Sequence, residues 1–357
     1  MGSIKVGQQN YSFEAIRGGD WKGLDSEFEK VFAFCRDWLR GEGEFVLRTS
    51  GSTGRPQEIT VSREQMRLSA NATRGFFNLQ HGCRMLCCLN TEMIAGRMML
   101  VRAMEWEAEL LLVTPTSLPL ENLDNPYFDF VAMVPMQLQA SMDKQKSRHL
   151  LDNIRVLIIG GAPLSDVLRE KAKSLKGEVY QTYGMTETVS HVALANLKAE
   201  GPLVYRALPG VNLEVDGENR LVIQAPMAGN RTLQTQDVVD LLSHNSFVWK
   251  GRVDFVVNSG GIKIHPEETE SVIRPLMHEY FPERRYFLTG MQDELLGEAL
   301  VLVVEGEEDI TNAGHFLEKS AEMLGRFHVP KQVFFVRKFS MTPSQKINRL
   351  ETKKNLR

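Results

Sequence analysis

The sequence predicts an α/β protein in two parts. A large domain carries a mostly parallel sheet with a β-rich section at its end, and a small α+β domain follows. Three observations lead there. Up to about Tyr205, strand-length apolar runs ended by Gly or Pro alternate with helix-period segments. After Tyr205 the texture becomes hairpin-like. From Pro266 to the end, helices and strands return in a stretch of small-domain length.

The elements follow in order. Residues 24–40, LDSEFEKVFAFCRDWLR, place apolar groups at helical spacing and stop before Gly41. EFVLRTS is a short strand running into a glycine loop. Ser62 is an N-cap with Gln65 three residues on, so SREQMRLSANATRGFF starts as a capped helix. RMLCCLN is a buried strand, AGRMMLVRAMEW a helix, and AELLLVTP a strand stopped by Pro115. FVAMVP and IRVLIIGG are further strands ended by breakers. NLEVDGENRLVIQAP folds as a hairpin at DGEN, and DVVDLLSHNSFVWKGRVDFVV keeps the all-β texture. PEETESVIRPLMHEYF is helix, RRYFLTG and EALVLVV strands, AGHFLEKSAEMLG helix, QVFFVRKF strand, and the remainder a polar tail. A boundary in WKGRVDF divides residues 1–251 from residues 252–357.

Composition narrows the function classes. With 43% hydrophobic and 24% charged residues, the 357-residue chain has ordinary globular composition. A net charge of −3 gives no basic field for nucleic acid or an anionic membrane. No apolar run reaches bilayer length. The start, MGSIKVGQQNYSF, lacks the apolar core of a signal peptide, and Val6 stands where a myristoylation pattern needs a hydroxyl. Cys35, Cys83, Cys87 and Cys88 have no His at metal-ligand spacing, so they read as buried thiols in a reducing, cytoplasmic compartment.

The loop RTSGSTGRPQEIT (residues 48–60) raises a sharper question. Gly51 and Gly54 allow backbone angles that turn consecutive N–H groups toward an anion, Ser50, Ser52 and Thr53 add hydroxyls, and Arg55 adds a fixed charge. The spacing is not that of a Walker loop. Alone, the stretch reads equally as an anion-binding loop or a plain surface turn.

Three more segments stand downstream: YQTYGMTETVSH (180–191), GRVDFVVNSGGIKIHPEETE (251–270) and SMTPSQKINRL (340–350). With the glycine loop, in this order, they resemble the ANL superfamily of acyl- and aryl-CoA synthetases, peptide-synthetase adenylation domains and luciferases. The resemblance runs from about residue 45 to the C-terminus. YGMTET, GGAPL and NSGGIKIHPEETE are most similar to the superfamily branch that joins o-succinylbenzoate to CoA in menaquinone biosynthesis. It implies an adenylation core over residues 1–251 and a mobile C-terminal domain over 252–357. It also implies a two-step, AMP-forming ligation using ATP, Mg²⁺ and CoA. The chemistry explains the parts. A carboxylate is a poor electrophile, so ATP converts it to an acyl-adenylate, and a thiol then displaces AMP. Bringing two anions together needs donors, a divalent metal and a late-arriving cation.

Residue by residue, the resemblance implies the following. Ser50, Gly51, Ser52, Thr53, Gly54 and Arg55 hold the outer phosphates. Glu187 holds the Mg²⁺ and Thr186 touches the α-phosphate. Gly160, Gly161, Ala162, Tyr183 and Gly184 form the adenine side, while Asp237 and Arg252 meet the ribose. Lys346 bridges carboxylate and α-phosphate during adenylation. Asp254 is the hinge, and Gly260 and Gly261 line the CoA channel. Taken singly, each has an ordinary reading: Glu187 as a solvated helix-end charge, Tyr183 as a core or rim aromatic, Asp237 as a turn cap, Lys346 as a surface lysine. An acid with a second carboxylate calls for a cation in its pocket. Arg97 and Arg102 are candidates on their helix, against an exposed-face reading, and Ser190 and His191 are candidates for the aryl side, against a packed-core reading.

The pattern departs from the family at Gln57, Met93, Gln236, Phe255 and Gln345, and the region ahead of the loop is short. A shortened N-terminus implies a compact variant or a sheet edge covered in a homodimer. Two alternatives therefore stay open: an aryl-acid adenylating enzyme that loads a carrier protein, and a degenerate nucleotide-binding, non-catalytic member. No nucleic-acid partner and no membrane span are expected.

Overall fold

A computed structural model describes residues 2–49, 57–124, 127–162, 164–341 and 347–356. Contacts divide the chain into two units. One comprises residues 1–214, 222–233 and 242–248, the other residues 215–221, 234–241 and 249–357.

The first unit is built on a parallel core of five strands: β5 (Arg84–Cys87), β6 (Glu109–Leu112), β7 (Phe128–Met133), β8 (Ile154–Ile159) and β9 (Glu178–Gly184). Their order is β6–β5–β7–β8–β9, every pair parallel. β7 and β8 are buried almost end to end, as expected of strands covered on both faces. Helix α3 (Arg63–Phe77) leads into β5, and α4 (Ile94–Glu105), α5 (Pro135–Met142), α6 (Gln145–Leu151) and α7 (Asp166–Lys173) supply crossovers between the strands. Leu86, Val131, Leu157 and Val179 from the strands pack with Leu138, Leu150 and Leu168 from the helices.

Local chemistry sets the elements that carry the site. Ser62 caps α3 as its sequence predicts. Its Oγ accepts from Gln65 N at 3.2 Å, and Gln65 Oε1 accepts from Ser62 N at 3.0 Å. β3 (Glu44–Thr49) and β4 (Gln57–Ser62) pair antiparallel, from Glu44↔Ser62 to Thr49↔Gln57. The glycine loop therefore joins the two strands of a hairpin. After β9 the sheet turns antiparallel through β10 (His191–Asn196) and β11 (Val204–Ala207) to the strand Ser246–Arg252.

The first dozen residues, for which the sequence reading assigns no element, add β1 (Ser3–Val6) and β2 (Gln9–Ser12). β1 lies parallel beside β6. α1 (Phe13–Gly18) follows, capped by Ser12 and closed by left-handed Gly19. α2 covers Glu29–Arg40 and stops at Gly41.

The second unit has strand Gly297–Glu305 flanked by Tyr286–Asp293 (antiparallel) and Val333–Val336 (parallel). The short pair Val257–Ser259 and Ile262–Ile264 joins at Gly297. Helices Pro266–Tyr280 and Ile310–Met323 bury Ile273, Met277 and Phe316 against Leu288, Leu300 and Leu302. The expected polar tail is not unstructured. Residues Arg349–Lys353 form a short helix with Asn348 as its N-cap, and Thr352 is buried where its hydroxyl accepts from Ser340 N. Charge and short length hid this element from periodicity.

Candidate active site

Two groups of residues, one in each unit, carry the candidate chemistry. Ser50, Gly51, Ser52, Thr53, Gly54, Arg55 and Lys346 lie outside the described residues.

In the first unit, Gly160, Gly161 and Ala162 follow β8, while Tyr183 and Gly184 end β9. All five sit at the carboxyl edge of adjacent parallel strands, the edge where open α/β sheets bind ligands. A Cβ on Gly160 would lie 2.5 Å from Thr182 Oγ1, so only glycine lets these strand ends approach. Tyr183 is half-buried, edge-on to Phe247 at 5.1 Å and to Tyr205 at 5.8 Å.

Beyond Gly184 the chain makes one 3₁₀ turn, Thr186–Thr188, in which Thr186 is half-buried and Glu187 is exposed. Thr188 Oγ1 accepts from Met185 N at 3.1 Å and lies 2.7 Å from Ser190 O. Val189 then adopts φ 65°, ψ −49°, and Ser190 N donates to Thr188 O at 2.7 Å. This is a γ-turn with a β-branched residue at its strained centre, a conformation costing about 1–3 kcal/mol. Burial of Val189 holds it. The turn reverses the chain so that Ser190 and His191 enter β10 against α3 and α4. Gly184 is the counterpart: a Cβ there would lie 2.4 Å from Ser190 O.

The turn delivers Ser190 and His191 to Arg102. Arg102 is 2% exposed, on α4, and its Nη2 donates to Ser190 Oγ at 3.0 Å and faces His191 Nδ1 at 3.5 Å. Nη1 reaches Met99 Sδ at 3.9 Å, and the buried Nε has no hydrogen-bond partner among the described residues. Burial pulls the guanidinium down to about 9, and no carboxylate among the described residues opposes that pull. Burial, then the nearby cation, also holds the His191 imidazole well below its usual range, so the ring is neutral. An arginine buried without an acid is costly, and its idle donors match a carboxylate from outside the chain. The structure separates Arg97 from this group. Its Nε donates to Thr91 O at 3.2 Å and its guanidinium lies 4.8 Å over the Phe34 ring. Five residues on a helix differ by roughly 140° around the axis, so the two arginines serve different faces.

In the second unit, Asp237 is buried in the strand Thr232–Ser243 rather than capping a turn. Its Oδ1 accepts from Trp249 Nε1 at 3.0 Å and lies 3.7 Å from Arg252 Nη1. Arg252 Nη2 also pairs with Asp254 at 2.6 Å, and Asp254 sits in the 3₁₀ turn Val253–Phe255. Asp237, Arg252 and Asp254 thus form one connected charge group. Gly260 and Gly261 make the reversal between two short strands, at φ 58° and 82°. A Cβ on Gly260 would lie 2.8 Å from the Phe327 ring.

The segment that carries Lys346 in sequence is anchored on both sides of the undescribed stretch. Met341 and Ile347 form an antiparallel bridge, and Asn348 N donates to Ser340 O at 2.8 Å. Arg349, three residues on, donates to Glu270 Oε2 at 2.9 Å, lies 3.4 Å from Glu267 Oε1, and stacks over Phe255 and Phe287. Glu270 also accepts from Leu288 N at 2.7 Å. One guanidinium faces two buried carboxyls, so burial and the neighbouring Glu270 push Glu267 up to about 7 although Arg349 pulls it down. Burial raises the Glu270 carboxyl as well, against the pull of Arg349, and its shorter contacts make it the nearer partner of that guanidinium.

Sequence reasoning did not single out Thr73, Trp249, Glu267, Glu270 or Arg349. Arg349 and the glutamates lie inside quoted segments. Thr73 carries no signal in sequence, being one hydroxyl on a helix.

Fold and site together are those of a nucleotide-using ligase: a parallel sheet with a glycine hairpin and a carboxyl-edge cluster in one unit, and a small α+β unit after it in the chain. The AMP-binding enzyme family matches residues 45–227, and the chain belongs to that family. A solved acyl-CoA synthetase (AMP-forming)/AMP-acid ligase II-like protein from Dyadobacter fermentans is 38% identical. That match covers 95% of this chain and 97% of the other, with a TM-score of 0.66. The o-succinylbenzoate CoA synthetase of Bacillus subtilis, solved with an acyl-adenylate intermediate, shares the fold at 21% identity and TM-score 0.70, covering 86% of this chain and 68% of that one. Among curated relatives, the 2-succinylbenzoate–CoA ligase of Bacillus cytotoxicus is 24% identical over 380 residues, 97% of this chain and 75% of its own length. That of Listeria monocytogenes is 26% identical over 345 residues, 90% and 72%. Among the described residues no helix is long and apolar enough to cross a membrane.

Proposed function

We propose that the chain is an AMP-forming acid–CoA ligase whose acid carries a second carboxylate, with o-succinylbenzoate as the favoured substrate. One observation carries the substrate class: Arg102, buried beside Ser190 and His191 with no acid among the described residues to meet it, offers donors for a carboxylate from a ligand. The family supports the nucleotide, and relatives named for succinylbenzoate support the acid.

In this reading the loop over residues 50–55 and Thr186 hold ATP phosphates, Gly160, Gly161, Ala162, Tyr183 and Gly184 the adenine side, and Asp237 with Arg252 the ribose. Mg²⁺ suits Glu187: the ion takes one or two carboxylates and completes its shell with phosphate oxygens and water, and Glu187 is a single carboxylate beside the Thr186 hydroxyl. The metal would neutralise phosphate charge. Lys346 meets the acid carboxylate and α-phosphate during adenylation, since a compact ammonium follows charge as it develops. Turning at Asp254 then exchanges Lys346 for Gly260 and Gly261, past which CoA enters. Four buried free thiols support a reducing, cytoplasmic setting, and menaquinone synthesis as the pathway follows from the acid.

The test is a panel of aromatic dicarboxylic and monocarboxylic acids with ATP, Mg²⁺ and CoA, scored for AMP and for the thioester by mass. Thioester from o-succinylbenzoate in preference to benzoate-like acids supports the reading. AMP without thioester points to a carrier-protein acceptor, and no acid-dependent pyrophosphate overturns the ligase.

A further inference from the structure

We propose that Thr73 is a positioning residue for the acid pocket: by accepting the Nε2 proton of His191 it fixes the imidazole tautomer, so that the Nδ1 lone pair takes a hydrogen bond from Arg102 and aims the guanidinium. The proposal rests on the reading of Arg102 as the carboxylate ligand.

Protons can be counted along these contacts. Thr73 lies fully buried on α3. Its hydroxyl has a single proton, donated to Ser69 O one turn back at 3.0 Å. What it presents to His191 Nε2, 3.1 Å away, is a lone pair. Nε2 therefore carries the ring proton and Nδ1 is bare. The other side of the ring agrees. Nδ1 faces Arg102 Nη2 at 3.5 Å and Ser190 Oγ at 3.4 Å, and both can donate. The opposite tautomer would set Nδ1–H against a guanidinium that has only donors, and would leave Nε2 bare. A doubly protonated ring would put two cations in contact inside the core, which burial forbids.

The chain Ser69 carbonyl, Thr73 hydroxyl, His191 imidazole, Arg102 guanidinium thus runs in one direction, each donor finding an acceptor. Its last member is held through Nη2 while Nε stays unpartnered among the described residues. Orientation of that kind decides whether a planar guanidinium meets a carboxylate with two bonds or one.

The experiment compares Thr73→Val, which keeps the shape and removes the hydroxyl, with Thr73→Ser, which restores it. o-Succinylbenzoate and a monocarboxylic aromatic acid serve as probes. We expect Thr73→Val to raise KM for the dicarboxylic acid about three- to tenfold, the worth of one hydrogen bond, with kcat nearly unchanged. KM for the monocarboxylic acid stays put, and Thr73→Ser recovers the preference. ¹H–¹⁵N spectra of histidine-labelled protein show His191 protonated on Nε2 in the wild type and a mixture of tautomers in Thr73→Val. A wild-type His191 protonated on Nδ1 overturns the proposal, and this reading needs no variant to fold. The two readings fail separately. A dicarboxylate preference that survives Arg102→Met removes the acid-pocket reading. A preference lost in Arg102→Met but unmoved in Thr73→Val removes the role of Thr73 alone.

Discussion

At the scale of a residue, the role proposed for Arg102 runs against stability. A buried guanidinium without a carboxylate is a standing cost, because its solvation is lost and no opposite charge among the described residues returns it. Arg102→Met keeps much of the volume and deletes the charge. The ligand-free protein should become more stable by about 1–4 kcal/mol, read as a higher Tm, while KM for o-succinylbenzoate rises far more than KM for a monocarboxylic acid. A lower Tm would mean that the charge is already compensated. Arg102, Ser190 and His191 were all legible as candidates, because two of the quoted stretches carry them. Arg102 could not be separated from Arg97 in this way, since facing is a matter of rotation about α4 and both neighbours are apolar. Nothing in the sequence marks Val189 for a left-handed backbone either. Val is among the residues least suited to it, and only the packed turn between Gly184 and Ser190 explains its φ.

Among elements, the pairing of helix Pro266–Tyr280 with the short helix Arg349–Lys353 has the clearest consequence. Glu267 and Glu270 lie three residues apart on one face, and Arg349 pins the terminal segment to them. Burial raises the folded-state Glu267 carboxyl from 4.5 to about 7. The folded protein therefore binds the extra proton, so the stabilising contribution is complete below about 4.5 and is lost as pH climbs through about 7. Glu267→Gln removes the Glu267 share of this dependence. The Tm of the variant relative to wild type should rise across that window and level off above it, measured by thermal unfolding at stepped pH. A difference that is flat in pH would place the proton elsewhere. Most elements were legible because hydrophobic period and breakers agree: β5 to β8, α3 with its Ser62–Gln65 cap, and both longer C-terminal helices. β1, β2 and the terminal helix were not, because each is short and gains its stability from a partner distant in sequence.

For the whole molecule, the two half-reactions proposed for an acid–CoA ligase draw on different parts of the chain. In that proposal the parallel sheet of the first unit would offer its carboxyl edge to the nucleotide. The second unit would offer Asp237 with Arg252 and the segment, anchored on either side, that carries Lys346 in sequence. The class of fold was legible because four ordered segments constrain it jointly, where each alone reads as a turn, a rim or a surface charge. Contacts such as Trp249 to Asp237 and Arg349 to Glu270 were not, because spacing along the chain does not encode them.

The most direct measurement is acid-dependent ATP–pyrophosphate exchange in wild type and Lys346→Ala, run beside the reaction of preformed acyl-adenylate with CoA. Lys346→Ala should lower exchange by about three orders of magnitude, which is about 4 kcal/mol of transition-state stabilisation, and leave thioester formation from the adenylate within about threefold of wild type. Equal loss of both half-reactions, or exchange that survives the substitution, would contradict a late-arriving lysine as the group that makes the acid reactive.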